Sequence, residues 1–180
     1  MSIDGRETIC PLCFGNQETA EGRAALRERV ALTDGWRVVA HRSGLPGWLL
    51  LVARRHVQSL ADLTDAETAE LGPLLRAAAR AQRDALEAQW SYVIEFSEGM
   101  NHHLHLSVVP RRNDLPEERR GAKVGAYNQG GDVADDATRD DLARLLRVSW
   151  PTSLNSRSRE RPLVVSTCPE PRIRGLRHSA

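Results

Sequence analysis

This 180-residue chain lacks a charge bias, a long apolar run and a cysteine framework. Its 25 lysines and arginines nearly balance 24 aspartates and glutamates, leaving a formal net charge of +1. That is not the basic excess phosphate contacts require, so dedicated nucleic-acid binding is not expected. The longest apolar stretch, residues 48–53, falls far short of the roughly 20 residues that cross a bilayer, so no membrane association is expected. The N-terminus shows no basic start leading into an apolar run, and no secretory leader is expected. Of three cysteines, two form a single C-x-x-C, and the third, Cys168, is far away. Such a set does not staple a secreted domain, and a reducing cytoplasm is the expected compartment. No internal repeat is present. The length and the 41% hydrophobic share fit one compact domain over 1–150, with an appended tail over 151–180 that is either disordered or an arm packed on a partner subunit.

The most informative stretch is His103-Leu104-His105-Leu106-Ser107-Val108-Val109, followed by Pro110-Arg111. Strict alternation is the period of a β-strand. One face carries His103, His105 and Ser107, and the other carries Leu104, Leu106 and Val108. Groups at i and i+2 lie about 7 Å apart and can address one ligand. An ordinary half-buried strand shows Thr, Lys or Glu on its wet face. Two imidazoles and a hydroxyl in a row, with His102 beside them, point to chemistry.

The second feature is Cys10-Pro11-Leu12-Cys13, followed by Phe14-Gly15. A C-x-x-C lets two sulfurs converge on one ion, as half of a zinc site, or form a redox pair. If zinc binds, histidines must complete the shell, and the candidates are His41, His56, His102, His103, His105 and His178.

Residues 16–32 suit a short helix or a loop with a helical turn. Residues 36–41 and 48–53 read as two strands around a Leu45-Pro46-Gly47 turn. Thr64-Asp65-Ala66-Glu67 is a capping box. It opens an amphipathic helix with Leu71, Leu74, Leu75, Ala78, Ala81, Ala85 and Leu86 on one stripe, which Pro73 is expected to kink or restart. Residues 92–97 form a third strand, joined by residues 98–101 to the histidine strand as an antiparallel pair. A short strand is expected near 123–127. Asp136 or Thr138 caps a second helix with Leu142, Leu145 and Leu146 inward. This order gives an α+β domain, an antiparallel sheet of about five strands with helices on one face.

Three segments together resemble the histidine triad (HIT) superfamily. They are residues 45–64, from Leu-Pro-Gly-Trp through Arg54-Arg55-His56 to Thr64; the strand 103–111; and the N-terminal C-x-x-C, which many bacterial members share. The resemblance spans about residues 10–112, with a weaker echo at 137–147. Two positions depart from the family pattern. Ser107 stands where most members have a third His, a position at which some transferase branches carry Gln. Trp48 replaces the His that often follows Pro-Gly. The glycine-rich segment before the triad is also shortened, to residues 99–102.

The resemblance implies a nucleotidyl hydrolase or transferase acting on a nucleoside phosphoramidate or dinucleoside polyphosphate. His105 is then the nucleophile, Ser107 a donor to a phosphate oxygen, and His103 their neighbour in the row. Nucleotide contacts fall to His41, Trp48, Asn101, His102 and Arg111. Metal-bearing relatives imply structural zinc on Cys10, Cys13, His56 and His103, and relatives are commonly homodimers. Two alternatives remain at this point: a phosphorylase or nucleotidyltransferase, encouraged by Ser107, and a zinc-stabilised nucleotide-binding protein with little turnover. A thiol redox protein is disfavoured for want of a strand–C-x-x-C–helix setting.

Overall fold

The computed structural model describes residues 10–96, 102–128 and 133–151. Within them lies one five-stranded antiparallel sheet, comprising β1 (Ala31–Leu32), β2 (Trp36–Ala40), β3 (Leu49–Ala53), β4 (Trp90–Glu95) and β5 (His105–Arg111). The strand order is β1-β2-β3-β5-β4. Three α-helices accompany it, α1 (Pro11–Ala20), α2 (Asp65–Leu86) and α3 (Asp136–Val148). This is the α+β sheet the residue pattern predicts.

The alternation of the strands decides what each face meets. Trp36, Val38, Leu49, Leu51, Leu104, Leu106 and Val108 turn one way and form the main core with Leu74, Ala77, Ala78 and Ala81 of α2 and Ala143 and Leu146 of α3. The apolar side of the histidine strand is therefore buried, as its period requires. The other side carries His105 and Ser107. In the register His105 lies opposite Val52, and Ser107 lies between Leu50 of β3 and Ile94 of β4. One end of that face is closed by a second cluster of Leu45, Trp48, Val109, Leu115 and Val124. The other end is covered by α1, whose Asn16 bonds to Arg37 of β2.

Helix α2 begins with the predicted capping box. Thr64 Oγ1 accepts from the Glu67 amide at 3.3 Å, and the Glu67 carboxylate accepts from the Thr64 amide at 2.8 Å. It then runs as one helix through Pro73, without the restart that a proline can impose. Pro73 is on the exposed side, so the carbonyl its ring leaves unbonded faces water, while the opposite stripe stays packed on the sheet. Gln82 is the buried polar exception on that stripe. Its side-chain amide nitrogen, Nε2, donates to the carbonyls of Gly47 and Val108, and its Oε1 accepts from Ser91 Oγ. It ties α2 to the sheet by hydrogen bonds as well as by contact.

Other elements differ from the expectation. The helix expected within 16–32 starts earlier, at Pro11, and ends at Ala20, so the C-x-x-C opens it, with Cys10 as N-cap and Pro11 in the first turn, where a missing N–H costs nothing. Strand β4 starts at Trp90 rather than 92. Residues 123–127 are not a strand but part of a 3-10 helix, Gly121–Asn128. Its i, i+3 spacing stacks Val124 and Tyr127 on one side, and both join the Trp48 cluster. Asp135, not Asp136 or Thr138, caps α3, its carboxylate accepting from the Thr138 amide at 2.7 Å. Leu146 is buried but Leu145 is exposed, because only one side of α3 meets the core. The expected tail from 152 onward lies outside the described residues, as does Asn101.

Candidate functional site

Two histidines two residues apart are held by different devices. His103 lies just before β5 and is almost completely buried. Its Nε2 donates to the Ala53 carbonyl at 2.7 Å, which leaves Nδ1 with the lone pair of the neutral ring. Nδ1 faces two sulfurs, Cys10 Sγ and Cys13 Sγ, each at 3.4 Å. Burial pushes the His103 pKa down to about 4, with the Ala53 carbonyl opposing it and His56, His105 and Arg37 adding to the shift. His56, just beyond β3, places Nδ1 3.1 Å from Cys13 Sγ, and its ring meets His103 edge-on with centroids 4.9 Å apart. Burial also lowers the His56 pKa. The donor atoms of Cys10, Cys13, His56 and His103 all lie within 4.8 Å of one another. Two sulfurs and two imidazoles gathered this closely could hold a metal ion. The two cysteines stand out in the sequence, the family resemblance implies His56 and His103 as their partners, and the fold brings all four together across about 90 residues.

His105 is oriented by its neighbour's backbone. Its Nδ1 donates to the His103 carbonyl at 2.9 Å, which places the lone pair of the neutral ring on Nε2. Ser107 follows on the same face of β5. His41, at the end of β2, accepts the Ser43 amide on Nδ1 at 3.1 Å and packs on Trp48 with ring centroids 5.2 Å apart. Its pKa falls to about 4, chiefly through burial, then through Arg139, Arg42 and His105. His41 and Trp48 therefore flank the face that carries His105. Trp48 is buried, and its Nε1 finds no hydrogen-bond partner among the described residues.

The remaining candidates stand apart. His102 is exposed with a left-handed backbone, φ +36°. Arg111 is at the far end of β5, about 20 Å of strand from His105, and its guanidinium lies 4.5 Å over the Trp90 ring. Two residues escape a sequence reading altogether. Asn16 and Arg37 join beneath α1 at 2.7 Å, with Asn16 also donating to the Ala53 carbonyl. The spacing Cys10, Cys13, Asn16 on one helical face was the available signal for the first.

No family model matches the chain, and neither does any curated protein. Solved structures do. A zinc-bound histidine triad family protein from Mycobacterium smegmatis is 25% identical, covering 78% of this chain and 92% of that one with a TM-score of 0.55. The fold is that of the histidine triad proteins. A hypothetical histidine triad nucleotide-binding protein from Sulfolobus tokodaii strain7 aligns with a TM-score of 0.58 at 15% identity over 76% of this chain and 91% of that one. A histidine triad protein from Marinobacter aquaeolei VT8 gives 0.58 at 16% identity over 70% and 89%. In this chain the row along one face of the segment reads His103, His105 and Ser107. Among the described residues, no helix is long and apolar enough to cross a membrane.

Proposed function

We propose that the chain is a nucleotidyl hydrolase or transferase that works through a covalent intermediate on His105. The observation that carries this reading is the hydrogen bond from His105 Nδ1 to the His103 carbonyl. A carbonyl can only accept, so it selects the tautomer whose Nε2 lone pair is able to attack phosphorus. The substrate class is a nucleoside phosphoramidate or a dinucleoside polyphosphate. Nε2 forms a bond to the α-phosphorus, and the P–N or P–O bond to the leaving group breaks with its electron pair, the leaving group being protonated by solvent. The phosphorylated ring keeps its Nδ1 proton and is cationic, so the His103 carbonyl stabilises it. Water, or another acceptor, then attacks phosphorus, the P–Nε2 bond breaks, and nucleoside monophosphate or a new conjugate leaves. Ser107 donates its hydroxyl to a non-bridging oxygen, a neutral contact weaker than an imidazolium would supply. His41 and Trp48 form the wall nearest the nucleoside.

The metal of this reading is zinc, held by Cys10, Cys13, His56 and His103. Bond lengths of about 2.3 Å to sulfur and 2.0 Å to nitrogen imply ligand separations of roughly 3.3–3.8 Å in a tetrahedron; the sulfur–nitrogen contacts of 3.1–3.4 Å run from just inside that range to its lower end, so small outward shifts of the side chains would admit the ion. Four protein ligands leave no open position, so zinc would be structural and supply no step of the reaction. It would fasten α1 to the sheet and hold His103, whose carbonyl orients the nucleophile. That a helix follows the C-x-x-C brings back the redox alternative, but two imidazoles turned onto the sulfurs favour the metal.

A second copy of the chain is the proposed partner. β4 is an edge strand with Trp90 59% exposed and Val93 51% exposed, and Phe96 just after it is 76% exposed. Unprotected apolar edges are sites of strand pairing.

The test compares wild type with His105→Ala on an adenosine phosphoramidate and on diadenosine tetraphosphate. The reading expects monophosphate release by the wild type and a loss of about 10³-fold or more in the variant, with an acid-labile nucleotidyl adduct trapped on the wild type alone. Binding without release by the wild type would instead support a nucleotide-binding protein with little turnover, which the buried Trp48 favours.

A further inference from the structure

The cysteine helix makes a second set of contacts that the reaction above does not use. Cys10, Cys13 and Asn16 follow at three-residue spacing and so share the side of α1 that meets the sheet. The Asn16 amide is buried and engaged at both ends. Nδ2 donates to the carbonyls of Ala53 at 2.9 Å and Arg54 at 3.0 Å, and Oδ1 accepts from Arg37 Nε at 2.7 Å. Arg37 is 1% exposed. It also donates to the Leu12 carbonyl at 3.4 Å, the Glu28 carbonyl at 3.0 Å and the Glu28 carboxylate at 3.3 Å. Gly15 crosses directly over this group, and a Cβ there would lie 2.6 Å from Arg37 Nη2.

A guanidinium is expensive to bury, and it is retained only where its donors are met. Here two of its four bonds go to α1, at Asn16 and Leu12, and the other two go to Glu28. The link to the metal ligands is a single atom. The Ala53 carbonyl accepts from Asn16 Nδ2 and also from His103 Nε2. The ligand-bearing helix and the ligand histidine are thus tied to the same oxygen.

We infer that Arg37 and Asn16 are positioning residues for the metal centre. They dock α1 on β2 and β3 and aim His103 Nδ1 at the two sulfurs without help from the ion, so the four-ligand set is assembled in advance. The inference rests on the metal reading proposed above. Outer partners of metal ligands typically change affinity by about 10–100-fold, and that is the effect expected here.

The experiment uses the full chain. Zinc affinity is measured by competition with a chromogenic chelator, and site geometry by the charge-transfer and d–d absorption of bound cobalt(II). Asn16→Ala, Asn16→Asp and Arg37→Lys are compared with wild type and with Gln17→Ala, an exposed neighbour on the same helix. The three variants should bind zinc about 10–100-fold more weakly, and Gln17→Ala should match wild type. Asn16→Asp is the sharper probe, since it keeps an acceptor for Arg37 but cannot donate to Ala53. If Arg37→Lys does not fold, Asn16→Asp alone carries the test. Wild-type affinity in both Asn16 variants overturns the inference. So does an equal drop in melting temperature of the chelated and zinc-loaded variants with affinity unchanged, the signature of a merely structural role. A wild-type protein without a tetrahedral cobalt spectrum overturns the metal reading itself, and this shows before any substitution is made.

Discussion

His41 should make the stability of this protein fall in acid by an amount that a paired denaturation experiment isolates. The ring is packed on Trp48 and accepts the Ser43 amide on Nδ1. Burial first, and then Arg139, Arg42 and His105, bring its pKa from 6.5 to about 4. Above pH 6.5 the ring is neutral in both the folded and the unfolded chain, and its contribution is fully present. Between about 6.5 and 4 the unfolded chain binds a proton that the folded chain refuses. Stability is therefore lost as pH falls through this window, by about 1.4 kcal/mol per pH unit, and levels off near pH 4 after roughly 3 kcal/mol. The assay is urea unfolding in chelator at pH 7.5, 6.5, 5.5 and 4.5, for wild type and His41→Asn. The amide oxygen of asparagine can replace Nδ1 as acceptor for Ser43 but does not titrate. Other histidines contribute to both proteins and cancel in the difference. The wild type's advantage should be constant above pH 6.5 and shrink by about 2 kcal/mol by pH 5. A difference that stays flat across the range would refute the reasoning, and with it the placement of His41 as a neutral, half-buried wall of the site.

Two further outcomes are expected. Gly47 has φ +88°, and a Cβ there would collide with Leu86 Cδ1, so Gly47→Ala should cost at least about 1–3 kcal/mol by strain and overpacking, read as a lower urea midpoint at unchanged slope. Val93→Lys places a charge on the exposed edge strand and should convert a dimer to a monomer in light scattering at micromolar concentration; a wild type that is already monomeric would remove the β4 seam.

The sheet was legible because it rests on periods, and the clustered cysteine–histidine set was legible through the C-x-x-C and the family resemblance together. Alternation in 103–109 fixes which side of β5 faces the core whatever the neighbours are. Thr64 and Glu67 announce α2 through local hydrogen bonds alone. The errors fall where tertiary context overrides local signals. Residues 123–127 carry Val and Tyr, which read as strand, but their burial over Trp48 needs only one side and a tighter turn. Pro73 does not restart α2, because its orphan carbonyl faces water and the opposite stripe stays packed. Leu145 belongs to an apolar run, but α3 meets the core with Ala143 and Leu146 and leaves it outside. In the site, the candidate side chains could be named in advance, whereas the carbonyls of Ala53 and His103 could not, because every residue has one and only the fold selects which is used.

The carbonyl of His103 separates two roles that a substitution usually confounds. Its side chain belongs to the candidate metal set, while its backbone oxygen holds the Nδ1 proton of His105. His103→Ala removes the first and keeps the second, since every residue carries that oxygen. If the first histidine of the row acts only through the metal, the variant should lose zinc and thermal stability together yet retain monophosphate release well above that of His105→Ala, measured at a temperature where it remains folded. A folded His103→Ala protein as inactive as His105→Ala would mean that the imidazole at 103 takes part in the chemistry, and that the closed four-ligand shell is the wrong description of it.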